Sequence, residues 1–239
     1  MKSCPNCSQP LDGEFCSNCG QRDLDLERPL GELLRELVTE TLDVDGRAWR
    51  TLHTMFRHPG MLTREFLAGK RRMYTSPLRL YIVVSVAFFI WAAWIASRGL
   101  LLDAEQTVDA HAGGQAQFLA EDLPRLMFLL LPMFAVLLKI AFRNRLYFDH
   151  IIHSLHMHTV AYIILALMLP LEEVGHWFPI ALQTIIFACF PIYVVVSTRR
   201  VYETGWPAAV LKSIAVLFAY MVIAGGVIEA TSNFTILSD

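Results

Sequence analysis

Residues 78–96 read LRLYIVVSVAFFIWAAWIA, free of charge after Arg79 and apolar on every side when wound as a helix. Such a run is too long for a strand. About twenty residues is the length with which an α-helix crosses the hydrocarbon of a bilayer. That placement constrains the rest, because backbone inside hydrocarbon must find its hydrogen bonds within its own helix. Further apolar runs follow at 123–142, 151–170, 177–197 and 208–228, separated by charged breaks. A soluble chain of 239 residues would keep a polar stripe on its helices, whereas here 55% of residues are apolar and 18% charged. The sequence therefore predicts an all-α polytopic membrane protein of about five transmembrane helices, with a membrane domain over 76–230.

The N-terminus is of another kind. Four of the five cysteines fall in CPNC (Cys4, Cys7) and CSNC (Cys16, Cys19), eight residues apart. Two Cys-x-x-Cys turns can set four thiolates tetrahedrally around Zn²⁺, and Gly20 suits the tight turn after the second pair. We read residues 1–22 as a small structural zinc ribbon. A thioredoxin-like dithiol would need one such pair beside a strand–helix unit, which is missing. Cysteines used this way belong to a reducing compartment, so the head is expected in the cytoplasm. The opening residues lack the apolar core of a secretory signal. A net charge of −2, with basic residues scattered in small groups, excludes a general nucleic-acid binder.

Between head and first span, 23–75 reads as a cytoplasmic amphipathic helical linker. Leu30, Leu33, Leu34, Leu37 and Val38 recur at helical spacing, and Asp45-Gly46 breaks the series. A second helix begins near Arg47 with Trp49, Leu52, His53 and Phe56 on a related face, and His58-Pro59-Gly60 separates it from a third, MLTREFLAG. These helices suit either the interface of an anionic leaflet or a packing unit over the ribbon. Lys70, Arg71 and Arg72 form the strongest positive cluster, placed as a topology or lipid-headgroup anchor. Bases recur at 70–72, at Arg143 and Arg145, and at Arg199 and Arg200, and the alternate connections are acidic. That alternation puts the N-terminus inside and the tail 231–239 outside. Pro132 and Pro191 fall inside spans, where neighbouring helices or local distortion must meet the lost backbone bonds.

The chemically loaded stretch is YFDHIIHSLHMHTVAY at 147–162. Asp149, His153 and His156 share one helical face, His150 lies beside His153, and His158 points away. Imidazoles with a carboxylate can bind a second transition metal or pass protons. A further ligand could come from His53, His58, Asp43 or Asp45. The same histidines could instead hydrogen-bond across helices. No Walker A motif, dinucleotide fingerprint, G-x-S-x-G or H-E-x-x-H occurs.

Taken together, the paired Cys-x-x-Cys head, FRHPGMLTREFLAGKRRMYTSPLRLY at 56–81 and FDHIIHSLHMH at 148–158 resemble a bacterial inner-membrane family known as domain of unknown function 3667. Pro59, Gly60, Gly69, Lys70, Arg71, Tyr74 and Pro77 match its lead into the first span, and Asp149 with His150 matches its acidic–histidine step. The resemblance implies the inner membrane and a zinc-headed polytopic fold, and it names no reaction. Three functions fit the residues. One is a membrane scaffold, sensor or assembly factor with a protein-docking zinc head. Another is a small transporter or metal- or proton-handling protein using the face of Asp149, His153 and His156. The last is a metal-dependent enzyme acting on lipid or quinone, so catalysis stays open. Expected partners are the lipid bilayer and a protein or second copy of the chain, without nucleic acid.

Overall fold

The computed structural model describes residues 2–22, 31, 47–97, 123–171 and 177–238. The amphipathic series at 30–38, Asp43, Asp45 and the acidic connections at 98–122 and 172–176 lie outside the described residues. Helix α1 (Ala48–Arg57) and α2 (Met61–Leu67) form a hairpin ahead of the long helices α3 (Pro77–Ser97), α4 (Leu123–Ala141), α5 (Tyr147–Met168), α6 (Trp177–Tyr202) and α7 (Trp206–Ser238). A 3₁₀ turn, Leu169–Leu171, ends α5. Among the described residues, five helices are long and apolar enough to cross a membrane: Pro77–Ile95, Leu123–Ala141, Tyr147–Leu171, Ala181–Tyr202 and Trp206–Thr231. The all-α polytopic architecture is thus the one observed.

Helix ends follow local chemistry. Ser76 precedes Pro77 and its hydroxyl accepts from the Arg79 N–H at 3.4 Å, a serine cap followed by proline at the first helical position. Helix α5 begins at Tyr147, four residues before the expected span, and takes in Asp149 and all four histidines of the stretch. Asp149 in its first turn suits the positive end of the helix dipole, which hydropathy does not register. Helix α6 likewise runs through Arg199 and Arg200, cations at a helix C-terminus. Helix α7 continues through most of the expected tail.

Helix α5 is the centre. It packs against α3, α4, α6 and α2, while α7 bridges α4 and α6. Tyr81 and Tyr162 meet with ring centroids 5.9 Å apart, and Phe88 meets Tyr162 at 5.1 Å, which locks α3 to α5. Beside Pro132 the carbonyls of Leu131 and Pro132 accept from Ser154 Oγ at 2.8 Å and Tyr147 OH at 3.1 Å, so α5 lends donors to that part of α4.

The α1–α2 hairpin does not lie outside this bundle. Leu62, Thr63 and Phe66 are buried as α2 wedges between α5 and α6. Gly60, at φ +78°, makes the wedge possible: a Cβ there would lie 2.6 Å from the Ser197 carbonyl oxygen of α6. Arg200 donates to the Pro59 carbonyl at 2.7 Å, and Tyr193 to that of Met55 at 3.0 Å. Gly60→Ala adds left-handed strain to a backbone clash. It should destabilise the protein by roughly 2–4 kcal/mol, read as a lower unfolding midpoint in detergent. An unchanged midpoint would show that this turn does not hold the hairpin against α6.

Candidate metal centre

The head is built from two copies of one turn. Cys4 N–H donates to Gln9 O and Ser8 N–H to Cys4 O, both at 2.8 Å, and Cys16 N–H to Gln21 O and Gly20 N–H to Cys16 O repeat the pattern at 2.8 Å. The bridges Ser3↔Pro10 and Phe15↔Arg22 close each copy. In both, the residue after the second cysteine is left-handed, Ser8 at φ 62° and Gly20 at φ 68°. Glycine fills one of the two positions, and Ser8 bears the strain of a side chain in the other.

The turns bring Cys4, Cys7, Cys16 and Cys19 together with all four Sγ atoms within 4.8 Å of one another. Cys4 and Cys19 sulfurs are 3.7 Å apart, and those of Cys7 and Cys16 3.6 Å. Both spacings far exceed a disulfide, and all four cysteines are free. A tetrahedron with Zn–S bonds of about 2.3 Å has edges of about 3.8 Å, so the donor set fits Zn²⁺. Burial pushes the Cys4 thiol up to about 11, whereas the Gln9 backbone N–H and the Asn18 side chain hold Cys7 down to about 6. A metal takes these sulfurs as thiolates, so Cys4, the harder to ionise, must shed its proton on binding. Binding therefore releases protons and weakens on acidification.

The ribbon sits on its own membrane domain. Gln21 Nε2 donates to the Gly69 carbonyl at 2.5 Å, and Gln21 Oε1 accepts from the backbone N–H of Arg71 at 3.0 Å and Arg72 at 3.2 Å. The loop it grips is the end of α2: Gly69 N–H bonds Phe66 O and Lys70 N–H bonds Glu65 O, a Schellman cap with Gly69 at φ 83°. A Cβ on Gly69 would lie 3.0 Å from Pro5 of the ribbon. Lys70 pairs with Glu65 at 2.9 Å, and the Arg71 guanidinium covers the Phe66 ring at 4.6 Å. The basic cluster therefore packs at the junction of ribbon, α2 and first span. Nothing in the sequence marks Gln21 beyond its place after the second cysteine turn.

In the bundle the histidines fan out. His150 Nδ1 meets Tyr202 OH at 2.7 Å on α6, and His156 Nδ1 meets Thr63 Oγ1 at 2.8 Å on α2. His158 Nε2 meets Tyr220 OH at 2.9 Å on α7, with its Nδ1 2.9 Å from Ser154 O. His153 is fully buried, and neither ring nitrogen has a partner among the described residues. His150 Nε2 and the hydroxyls of Ser197, Thr198 and Ser213 are equally buried and unpartnered. The His150–Tyr202 and His158–Tyr220 pairs fix the register of α6 and α7 on α5. Asp149 is half-buried, and His53 and His58 are exposed. Among the described residues, the four cysteines form the only group of three or more His, Cys, Asp or Glu side chains whose donor atoms converge. Serines and threonines inside apolar runs were the available signal for these buried polar groups. Tyr202, Tyr220 and Thr63 carry none that a single sequence reveals.

A third feature is a groove of about 1000 Å³ between α1, α3 and α5, walled by Trp49, Phe56, Val83, Trp91, Tyr162 and Leu167, with His53 and Arg57 on its α1 side. The related face expected on α1 exists and lines this groove.

Cys16→Ser should leave the chain without its zinc, counted by elemental mass spectrometry, while the spans stay helical. Retention of one zinc equivalent would remove the four-cysteine assignment. Ser8→Gly relieves the left-handed strain and should raise resistance of the head to chelators by roughly 0.5–1 kcal/mol. Among known proteins, the family described as a protein of unknown function (DUF3667) matches residues 45–89. That stretch runs from just before α1 into α3 and includes Gly60, Gly69 and the Ser76-Pro77 cap. The cysteine head and the histidine stretch lie outside it, so the chain is similar to that family over this segment. No curated protein and no solved structure matches the chain.

Proposed function

We propose that the protein is an integral membrane scaffold, sensor or assembly factor whose zinc-loaded head controls the seating of the α1–α2 hairpin among the spans. The observation that carries this reading is the clamp of Gln21 on the Gly69 carbonyl and the Arg71 and Arg72 amides. Metal binding in so small a module is largely folding energy, so loss of zinc dissolves the element that holds this loop. The loop in turn caps α2, whose Thr63 reaches His156 about 13 Å along α5. A change at the metal can thus be felt between α5 and α6.

The proposed orientation has the head, Lys70, Arg71 and Arg72 and the α4–α5 and α6–α7 turns on the cytoplasmic side of an inner membrane, and the C-terminus outside. Bonds from Arg200 to Pro59 and Lys212 to Ala141 support a shared end for these basic segments. A protein partner or second copy would engage the head or the membrane domain.

A second reading, a transporter or a metal- or proton-handling protein, is favoured by His153, buried with both nitrogens unpartnered. In that reading Asp149, His150, His153 and His156 hold the ion or relay the proton. A metal equivalent that survives loss of all four cysteines and disappears in His153→Ala would select it.

The first reading is tested by hydrogen–deuterium exchange of the full chain in lipid nanodiscs. Chelation should speed exchange across residues 61–75. Gln21→Ala should do so in part while keeping its zinc. Unchanged exchange after zinc removal would sink the coupling.

A further inference from the structure

The turns that close the bundle at the start of α5 make a pocket unlike the apolar groove. It holds about 450 Å³ and is lined by Arg143, Asn144, Arg145, Tyr202, Thr204 and Lys212, with Ile140 at its α4 side. Lys212 Nζ is fixed by the Ala141 carbonyl at 2.8 Å and lies 4.6 Å from the Phe142 ring centroid. Lys139 Nζ donates to the carbonyls of Arg143 at 2.8 Å and Arg145 at 2.5 Å, which ties the turn down. Arg143 Nε reaches the Ile140 carbonyl at 3.4 Å. Carbonyls at the end of α4 and in the turn after it position these cations but carry only partial charge.

The nearby carboxylates are fewer. Glu203 is exposed and 3.6 Å from Arg145, and Asp149 sits in the first turn of α5. Four cations, Lys139, Arg143, Arg145 and Lys212, face these two acids, which leaves an excess of positive charge. Asn144 and Thr204 add uncharged polar groups to the wall. Glu203, at φ 52°, turns the chain sharply between α6 and α7 and places Thr204 on the pocket.

We propose that this pocket binds a phosphate-bearing anion, either the headgroup of an acidic phospholipid or a soluble phosphate ester. Guanidinium groups suit forked phosphate contacts and the ammonium supplies a point charge. The chain's densest basic run does not offer the same arrangement, since Lys70 is paired with Glu65 and Arg71 covers Phe66. Ile140 is 59% exposed beside the pocket and gives a lipid tail an apolar path down α4. The inner wall is Tyr202, whose ring stacks on Phe142 at 4.1 Å and whose hydroxyl meets His150. An anion there would rest against the tyrosine that is hydrogen-bonded to the buried His150.

The test uses the full chain in detergent. Native mass spectrometry is titrated with phosphatidylglycerol and, separately, phosphatidylcholine. In parallel, unfolding midpoints are followed with inorganic phosphate. Arg143→Gln/Lys212→Gln is compared with Arg50→Gln/Arg64→Gln, which loses equal charge at exposed positions on α1 and α2. Arg143→Gln alone serves if the Lys212 change prevents folding, and zinc content and midpoint check each variant. The pocket variant should weaken phosphatidylglycerol, phosphate or both by about tenfold, the control far less. An effect confined to phosphatidylglycerol assigns the site to a lipid headgroup; a shift with inorganic phosphate assigns it to a soluble ester. If neither probe separates the pocket variant from the control, the proposal is overturned, and these bases are topology signals alone.

Discussion

Burying an imidazole among apolar side chains is costly unless its nitrogens are hydrogen-bonded, and of the four that α5 brings into the bundle three find a partner on another helix. Apolar contact between spans has little directional preference, because lipid tails are as apolar as the side chains they would replace. The phenol and hydroxyl partners of His150, His156 and His158 supply that direction. Each sits on a different neighbour, α6, α2 and α7, so one helix fixes the azimuth and depth of three others. Carbon contacts complete what these bonds position, as where Phe134 packs edge-on against both His158 and Tyr220.

The head joins this bundle through two places where backbones come unusually close. Gly60 meets the α6 backbone, and Gly69 meets Pro5 of the ribbon. Both are left-handed, and both lack the carbon atom that would hold the surfaces apart. Between them α2 is short, seven residues, and would not be stable as an isolated helix. It owes its form to the Schellman cap at one end and to burial of Leu62, Thr63 and Phe66 against α5 and α6. The ribbon, the cap and the first span are therefore successive links of one mechanical chain.

The long helices were legible because hydrophobic length is a strong signal, and the cysteine cluster because its spacing leaves few alternatives. The start of α5 was harder to read, since Asp149 and the histidines break the hydropathy there while suiting a helix N-terminus. A helical wheel places Asp149, His153 and His156 on one face but says nothing of which neighbour each meets. His156 turns to Thr63, ninety-three positions away in sequence, a partner no local pattern reveals. Thr51 and Thr63 look like surface residues of an amphipathic helix, yet both are buried. Lys70, Arg71 and Arg72 read as a membrane anchor because charge is visible in sequence, whereas the Gln21 contact beside them is not.

The seat of the hairpin also sets an order of events during synthesis. Pro59 and Arg200 are 141 residues apart, so the N-terminal segment is made long before the wall it rests on. At about 5–20 residues per second, roughly 7–30 s separate the two. Through that interval the ribbon can fold on its metal and α3 can enter the bilayer, but α2 has no groove to occupy. The N-terminal hairpin can thus dock only late, since its seat is incomplete until α6 is made.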